Sequence, residues 1–309
     1  MTGGSTRGKI LVIRGGAIGD FILTLPALAA LREQFPQAQL EVLGYPHIVQ
    51  LAQAGGLVNR VQAIEARGLA NFFARNGELP EDLRDYFSEF DIIVSYLYDP
   101  DEIFQLNVKR CSPARFIVGA HRPNELERTH ATEVYLKPLE RLAIFEADAV
   151  PRLVLNPQPT TINRPLALHP GSGSERKNWP EQQWAELIAQ LLARTDVNLL
   201  LVGGEAEGDR LQKLAAALPP TRCGVAKNLP LVELARRLQS CAGFVGHDSG
   251  ITHLAAALGL PCVVLWADTI EEIWRPQGER VQILREVSGL HKLSVARVLA
   301  ELQRVLGRV

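Results

Sequence analysis

Four short segments combine glycines with an acid, a lysine or a histidine at spacings that suit anion and hydroxyl chemistry. The densest is Phe244-Val-Gly-His-Asp248-Ser-Gly-Ile-Thr-His253. Asp248, Ser249 and Gly250 leave a run of strand character and open a helix, so N-terminal amides and the positive end of a helix dipole face any anion held there. His253 lies one turn further in, where it reaches the same ligand or caps the strand edge. A second segment, Leu168-His-Pro-Gly-Ser-Gly-Ser-Glu-Arg-Lys177-Asn-Trp-Pro180, ends a strand in a Gly/Ser loop. Free N–H groups in such a loop suit phosphate oxygens, and Lys177 supplies full positive charge. Pro180 then starts a helix. The alternative for this segment is a flexible connection with a solvated lysine, which Trp179-Pro180 argues against.

In the third segment, Leu199-Leu-Leu-Val-Gly-Gly-Glu205-Ala-Glu207, an apolar run delivers an acid at the carboxyl end of a strand. A carboxylate there accepts from both hydroxyls of a ribose diol. Equally, either glutamate is a first-turn acid favoured by a helix dipole. The fourth, Arg14-Gly-Gly-Ala-Ile-Gly-Asp20, joins the first strand to the first helix. Its glycines match neither a dinucleotide fingerprint nor a P-loop. Asp20 is either a helix cap or a carboxylate placed to accept a proton from an acceptor hydroxyl. Asp99-Pro100-Asp101 superficially offers a metal-binding pair of acids, but the intervening proline fits a turn or helix start better.

The elements that must position these segments alternate along the whole chain. Strand patterns at 9–14, 40–43, 61–64, 91–95 and 115–118 interleave with helices expected over 20–35 and 133–147. Pro151, Pro157, Pro159 and Pro165 then suit an extended linker. Beyond it the rhythm restarts: strands at 166–169, 198–202, 243–245 and 262–265, and helices over 180–194, 205–218, 230–240 and 249–258. This alternation predicts an α/β protein of two doubly wound parallel sheets facing a central cleft. The expected domains are residues 1–155 and 156–309, with the last helix able to pack back on the first half. The halves share rhythm but not sequence, so the chain is no solenoid.

Composition narrows the function. The chain has 309 residues, enough for two domains, and 47% hydrophobic with 22% charged residues fits an ordinary globular protein. A net charge of −1 lacks the footprint of a general nucleic-acid binder. Residues 1–158 carry 16 Lys+Arg against 19 Asp+Glu. The locally basic interval Asn107–His130 reads as a solvated surface or as a patch for an anionic acceptor. Four scattered cysteines without a C-x-x-C pair fit free thiols in a reducing compartment. No apolar run approaches the roughly 20 residues of a membrane span, and no basic-then-apolar leader opens the sequence. The expected location is cytoplasmic, with at most peripheral contact at the inner face of the inner membrane.

Taken in order, Gly19-Asp20 with Leu25-Pro26-Ala27-Leu28, Lys177-Asn178-Trp179-Pro180, and Asp248-Ser249-Gly250 with His253 resemble glycosyltransferase family 9. These are the ADP-heptose:lipopolysaccharide heptosyltransferases of GT-B fold, and the resemblance spans nearly the whole chain. It implies that Asp20 is the general base of an inverting transfer. It further implies that Ser172, Gly173 and Lys177 hold the diphosphate, and that Asp248, Ser249, Gly250 and His253 line the phosphate and sugar side. Glu205 would take the ribose hydroxyls and Leu229 would lie beside the base. The implied partners are a nucleotide sugar, ADP-heptose, and a glycan or lipid-linked glycan acceptor, with no metal and no cofactor beyond the donor. At −3, residues 1–158 are less basic than a phosphorylated acceptor leads one to expect. Other readings are a GT-B transferase of another sugar, a sugar-nucleotide 2-epimerase, or a noncatalytic sugar-nucleotide or glycan-binding protein.

Overall fold

The apolar runs of the first half become five strands: β1 (Lys9–Arg14), β2 (Gln39–Gly44), β3 (Arg60–Ala63), β4 (Ile92–Ser95) and β5 (Arg115–Val118). The computed structural model describes residues 8–156, 163–204, 210–216 and 218–307. It divides into two units, residues 1–149 and 150–309. In the first, the strands pair in the order β3-β2-β1-β4-β5. All pairings are parallel, with Val12 of β1 opposite both Val42 and Val94. β1 is central and Ile10 to Ile13 are buried, as a strand covered on both faces requires.

Parallel neighbours need crossovers, and helices provide them. The single helix expected over 20–35 is instead two, α1 (Ile18–Ile22) and α2 (Leu25–Gln34). Pro26 is the cause: it has no N–H to continue the first helix, yet its fixed φ suits the first turn of a new one. After α3 (Pro46–Ala54), α4 (Glu81–Ser88) and α5 (Ile103–Lys109), a helix expected over 133–147 is likewise cut short. It appears as α6 (Ala131–Leu136) and a 3₁₀ stretch, Lys137–Leu142, with Pro138 at the break. Asp99 lies in a turn, and its two carboxylate oxygens accept from Phe104 N at 3.1 Å and Gln105 N at 2.9 Å. Its acid therefore caps the start of α5. An aromatic cluster of Phe72, Phe87 and Phe104 fills one side of the sheet, the first two with centroids 4.8 Å apart.

The second unit begins with an extended stretch whose Leu153 and Leu155 are buried and whose Leu153 N donates to Ala257 O at 2.8 Å. Its six strands are β6 (Leu166–His169), β7 (Leu199–Gly203), β8 (Cys223–Lys227), β9 (Gly243–His247), β10 (Cys262–Trp266) and β11 (Val281–Arg285). They pair in the order β11-β10-β9-β6-β7-β8. The edge strands β8 and β11 were not expected from sequence; one holds Cys-Gly-Val-Ala-Lys and the other alternates weakly. The helices are α7 (Glu181–Arg194), α8 (Arg210–Ala216), α9 (Leu231–Gln239), α10 (Gly250–Ala257), α11 (Glu271–Trp274) and α12 (Val295–Leu306). α12 packs on α7 and β10 of its own unit. No described helix is long and apolar enough to cross a membrane.

Strand order reverses between β1 and β4 in one sheet and between β6 and β9 in the other. At such switch points the loops diverge and leave a crevice at the carboxyl edge, where doubly wound sheets bind ligands.

All four cysteines are free. Burial pushes the Cys241 thiol up to about 12, against a smaller opposing pull from Arg164. The unfolded thiol ionises near its ordinary value of 9 and the folded one only toward 12, so unfolding releases a proton in that window. The contribution is intact below the lower value and is lost as pH rises toward the higher. Urea titrations should show stability declining above about pH 9, and Cys241→Ala should reduce that slope. An equal slope in the variant would exclude this thiol as a source.

Candidate functional site

The loops after β6 and β9 meet across the second switch point. Lys177 Nζ lies 2.6 Å from Asp248 Oδ2, the lysine side chain 33% exposed and the aspartate 9%. A third loop, after β10, joins them through Thr269 Oγ1, which donates to the same Oδ2 at 2.5 Å. Ser174, Arg176, Lys177, Asp268 and Thr269 line a cavity of about 300 Å³. Lys177 and Thr269 thus line this small cavity, and both are bonded to the buried carboxylate of Asp248. A cation held in this way is preorganised for an anionic ligand, since its direction is set before the ligand arrives.

Ser249 starts α10 from an extended conformation, and its Oγ accepts from Thr252 N at 3.3 Å. The same hydroxyl lies 3.4 Å from His169 Nδ1 at the end of β6. Gly250 and His253 follow in the first turn, with His253 buried. In the Gly/Ser loop, Ser172 Oγ lies 2.9 Å from Ser174 O and 2.8 Å from Asn178 Oδ1, so this hydroxyl closes its own loop. Gly173 has φ +75° with open space before it, a conformation that a side chain would strain.

His247, on the strand side of Asp248, is the brace of this loop. It is fully buried, and its Nε2 accepts from Trp179 N at 2.8 Å. Nδ1 therefore carries the proton and faces Gly171 O at 3.3 Å. Thr252 Oγ1 in turn donates to His247 O. Trp184 stacks edge-to-face on the imidazole at 5.5 Å, and Trp179 Nε1 donates to Leu293 O at 2.9 Å. Both ends of the Gly/Ser loop are thereby tied to β9.

Leu229 is half-buried beyond β8. Asn228 N donates to Gly203 O at 3.1 Å, which sets the Leu229 loop beside the end of β7. Glu205 and Glu207, which follow that strand, lie outside the described residues.

The first unit presents a different site. Asp20 is half-buried in α1, and its Oδ2 accepts from Ala17 N at 3.1 Å, so it does cap the helix. A Cβ on Gly16, at φ +100°, would come 2.9 Å from that same oxygen. Glycine at this position is required for Asp20 to sit where it does. Beneath lies Arg14, whose side chain is 2% exposed. Its Nη2 is 3.3 Å from Asp20 O and 3.8 Å from Asp20 Oδ1, while Nη1 donates to His121 O at 2.9 Å. The guanidinium also lies over the Tyr135 ring at 4.4 Å. Burial pushes the Tyr135 hydroxyl up, against the pull of the neighbouring Arg14. The carboxylate thus keeps one oxygen turned to a buried positive charge.

Within the second unit, the structure brings together Ser172, Gly173, Lys177, Asp248, Ser249, Gly250 and His253 on two adjoining loops. It adds Thr269 and His247, and in the first unit Arg14. A charged residue closing the apolar β1 was a visible signal for Arg14, and the Gly-His-Asp run for His247. Nothing local marks Thr269, whose role depends on β10 lying beside β9.

The family described as glycosyltransferase family 9 (heptosyltransferase) matches residues 129–299. Lipopolysaccharide heptosyltransferase 3 of Escherichia coli K12 is 22% identical over 292 residues, covering 85% of this chain and 83% of its own. The solved structure of E. coli ADP-heptose lps heptosyltransferase II superposes with a TM-score of 0.79 at 20% identity, covering 96% of this chain and 98% of that one. That of E. coli heptosyltransferase WaaC with ADP-2-deoxy-2-fluoro heptose gives 0.74 at 21%, covering 96% and 99%. These likenesses show the GT-B fold expected from the sequence.

Replacing His247 by leucine removes the acceptor of Trp179 N while leaving a side chain to fill the space. An orphaned buried amide costs about 1–3 kcal/mol, so calorimetry should record a melting midpoint lower by about 2–4 °C per kcal/mol. An unchanged midpoint would place the bracing of this loop elsewhere.

Proposed function

The chain belongs to glycosyltransferase family 9, and from that premise we propose that it moves heptose from ADP-heptose to a lipopolysaccharide core sugar or related cell-surface glycan, with inversion and without a metal. That it is a glycosyltransferase follows from the family. The donor is read from relatives whose names specify ADP-heptose or its fluorinated analogue. The observation that carries the reading is the Lys177–Asp248 pair at a switch point, beside the capped start of α10.

In this reading residues 1–155 serve the acceptor and 156–309 the donor. Asp20 takes the proton of the acceptor hydroxyl while that oxygen bonds to the anomeric carbon. The bond from this carbon to the diphosphate oxygen breaks, and its electron pair leaves on ADP. Lys177, the Ser172–Gly173 backbone and the first amides of α10 stabilise the charge that develops there. Asp248 and His253 take sugar or phosphate groups, Glu205 the ribose diol, and Leu229 the face of the base.

Asp20→Asn preserves the acceptor that caps α1 but removes the base. Transfer assayed in EDTA should persist in the native chain and fall by about 10²–10⁴-fold in Asp20→Asn, with ADP-heptose binding retained. Near-native turnover by the variant would remove Asp20 from the mechanism. Loss of native turnover in EDTA would remove metal independence. For Lys177→Ala the loss of a charge-assisted contact of about 1.5–3 kcal/mol predicts ADP affinity reduced about 10- to 150-fold. Calorimetry showing native affinity would contradict the phosphate assignment.

A further inference from the structure

The loops leaving β4 and β5 carry an exposed aromatic pair next to Asp20. We propose that the rings of Tyr98 and His121 form an acceptor subsite, packing against the apolar face of a neutral sugar ring whose hydroxyl is presented to Asp20. This rests on the reading of Asp20 as the base.

Position carries the inference, since a single exposed ring is ordinary on a protein surface. β4 is the strand that flanks the first switch point opposite β1, so Tyr98, in the loop after β4, and Asp20, in the short helix α1 after β1, border one crevice. His121 is linked to Asp20 through a single planar group. Arg14 donates to His121 O from one terminal nitrogen and approaches Asp20 O from the other, at 2.9 and 3.3 Å. That guanidinium is buried and rests on Tyr135, whose carbonyl accepts from Tyr96 OH at 2.6 Å. The backbones of His121 and Asp20 are therefore held by one buried group.

The rings suit a sugar. Tyr98 is 68% exposed, and its ring meets that of His121 at 4.7 Å and 61°. The contact restrains both rings, which reduces the rotamer freedom lost on binding. A pyranose has a face of C–H groups that matches an aromatic face, with hydroxyls at its rim within reach of a phenol or an imidazole nitrogen. Charge favours a neutral ring over a phosphate. Arg14 is buried below the surface, and the nearby Arg122 is paired with Glu125 at 2.8 Å.

The test uses de-O-acylated lipopolysaccharide from a strain lacking this chain, immobilised for equilibrium binding and also supplied as acceptor. Tyr98→Ala should weaken glycan binding and raise the acceptor KM roughly ten-fold, equivalent to about 1.4 kcal/mol. ADP affinity and the melting midpoint should stay native, and Tyr98→Phe should retain most of the binding. His121→Ala should weaken binding in the same sense. Native glycan affinity in Tyr98→Ala, an equal loss of ADP affinity, or no glycan binding by the native chain would each overturn the subsite. Asp20→Asn separates the two readings: full turnover there ends the base assignment, whereas a glycan-binding loss confined to the ring variants upholds the subsite independently.

Discussion

Right-handed crossovers put their helices on one face when a parallel sheet grows one way and on the other when it grows back, so a sheet covered on both faces is laid out from its middle, first to one side and then to the other. That constraint produces one reversal between β1 and β4 and another between β6 and β9. The loops on either side of a reversal run apart over opposite faces, and the crevice between them is where polar groups gather. Asp20 follows the first strand of one pair, and Lys177 and Asp248 follow both strands of the other. The hydrophobic layers matter to function chiefly because they hold these strand ends in register.

Both candidate sites solve the same electrostatic problem in different ways. A charge at a strand end is partly removed from water and must be answered locally. In the second unit the answer is an opposite charge, Lys177 on Asp248, reinforced by the Thr269 hydroxyl. In the first it is a guanidinium shared among carbonyls, an aromatic face and the edge of a carboxylate. Either arrangement leaves a charged group oriented but still open: Lys177 is a third exposed and Asp20 about as much. His247 adds rigidity without chemistry, since both of its nitrogens are committed to backbone groups of the Gly/Ser loop.

In the proposed reading the two chemical tasks of a glycosyltransferase are divided along the chain. Leaving-group charge needs fixed donors, which the proposed donor loops supply at strand ends with little rearrangement. The acceptor needs orientation and a proton acceptor, and the proposed subsite supplies them from rings and a carboxylate joined by Arg14. Helix-capping and catalysis are not exclusive roles for Asp20. One oxygen serves Ala17 N while the other lies toward Arg14, and the cap holds the carboxylate in place.

Much of this was written locally in the sequence. Buried parallel strands are short β-branched or leucine runs, and Gly, Ser, Asp and Pro mark the turns that follow, so nine of the strands and the residues at their ends could be read directly. Asp20, Lys177, Asp248 and Ser249 were identifiable because each belongs to a contiguous segment with its own glycines. The edge strands β8 and β11 were not: a strand covered on fewer sides needs no continuous apolar run, and Cys-Gly-Val-Ala-Lys and Val-Gln-Ile-Leu-Arg lack the apolar run that marks the central strands. Helix breaks at Pro26 and Pro138 followed from a missing N–H that the apolar periodicity masks. Only the tertiary structure decided that the loop of β6 lies against that of β9, giving Lys177 its aspartate and His247 its tryptophan amide. The same holds for Thr269 and for the Tyr98–His121 pair beside Asp20. These partnerships join residues tens of positions apart, and strand order, which no local pattern encodes, is what brings them together.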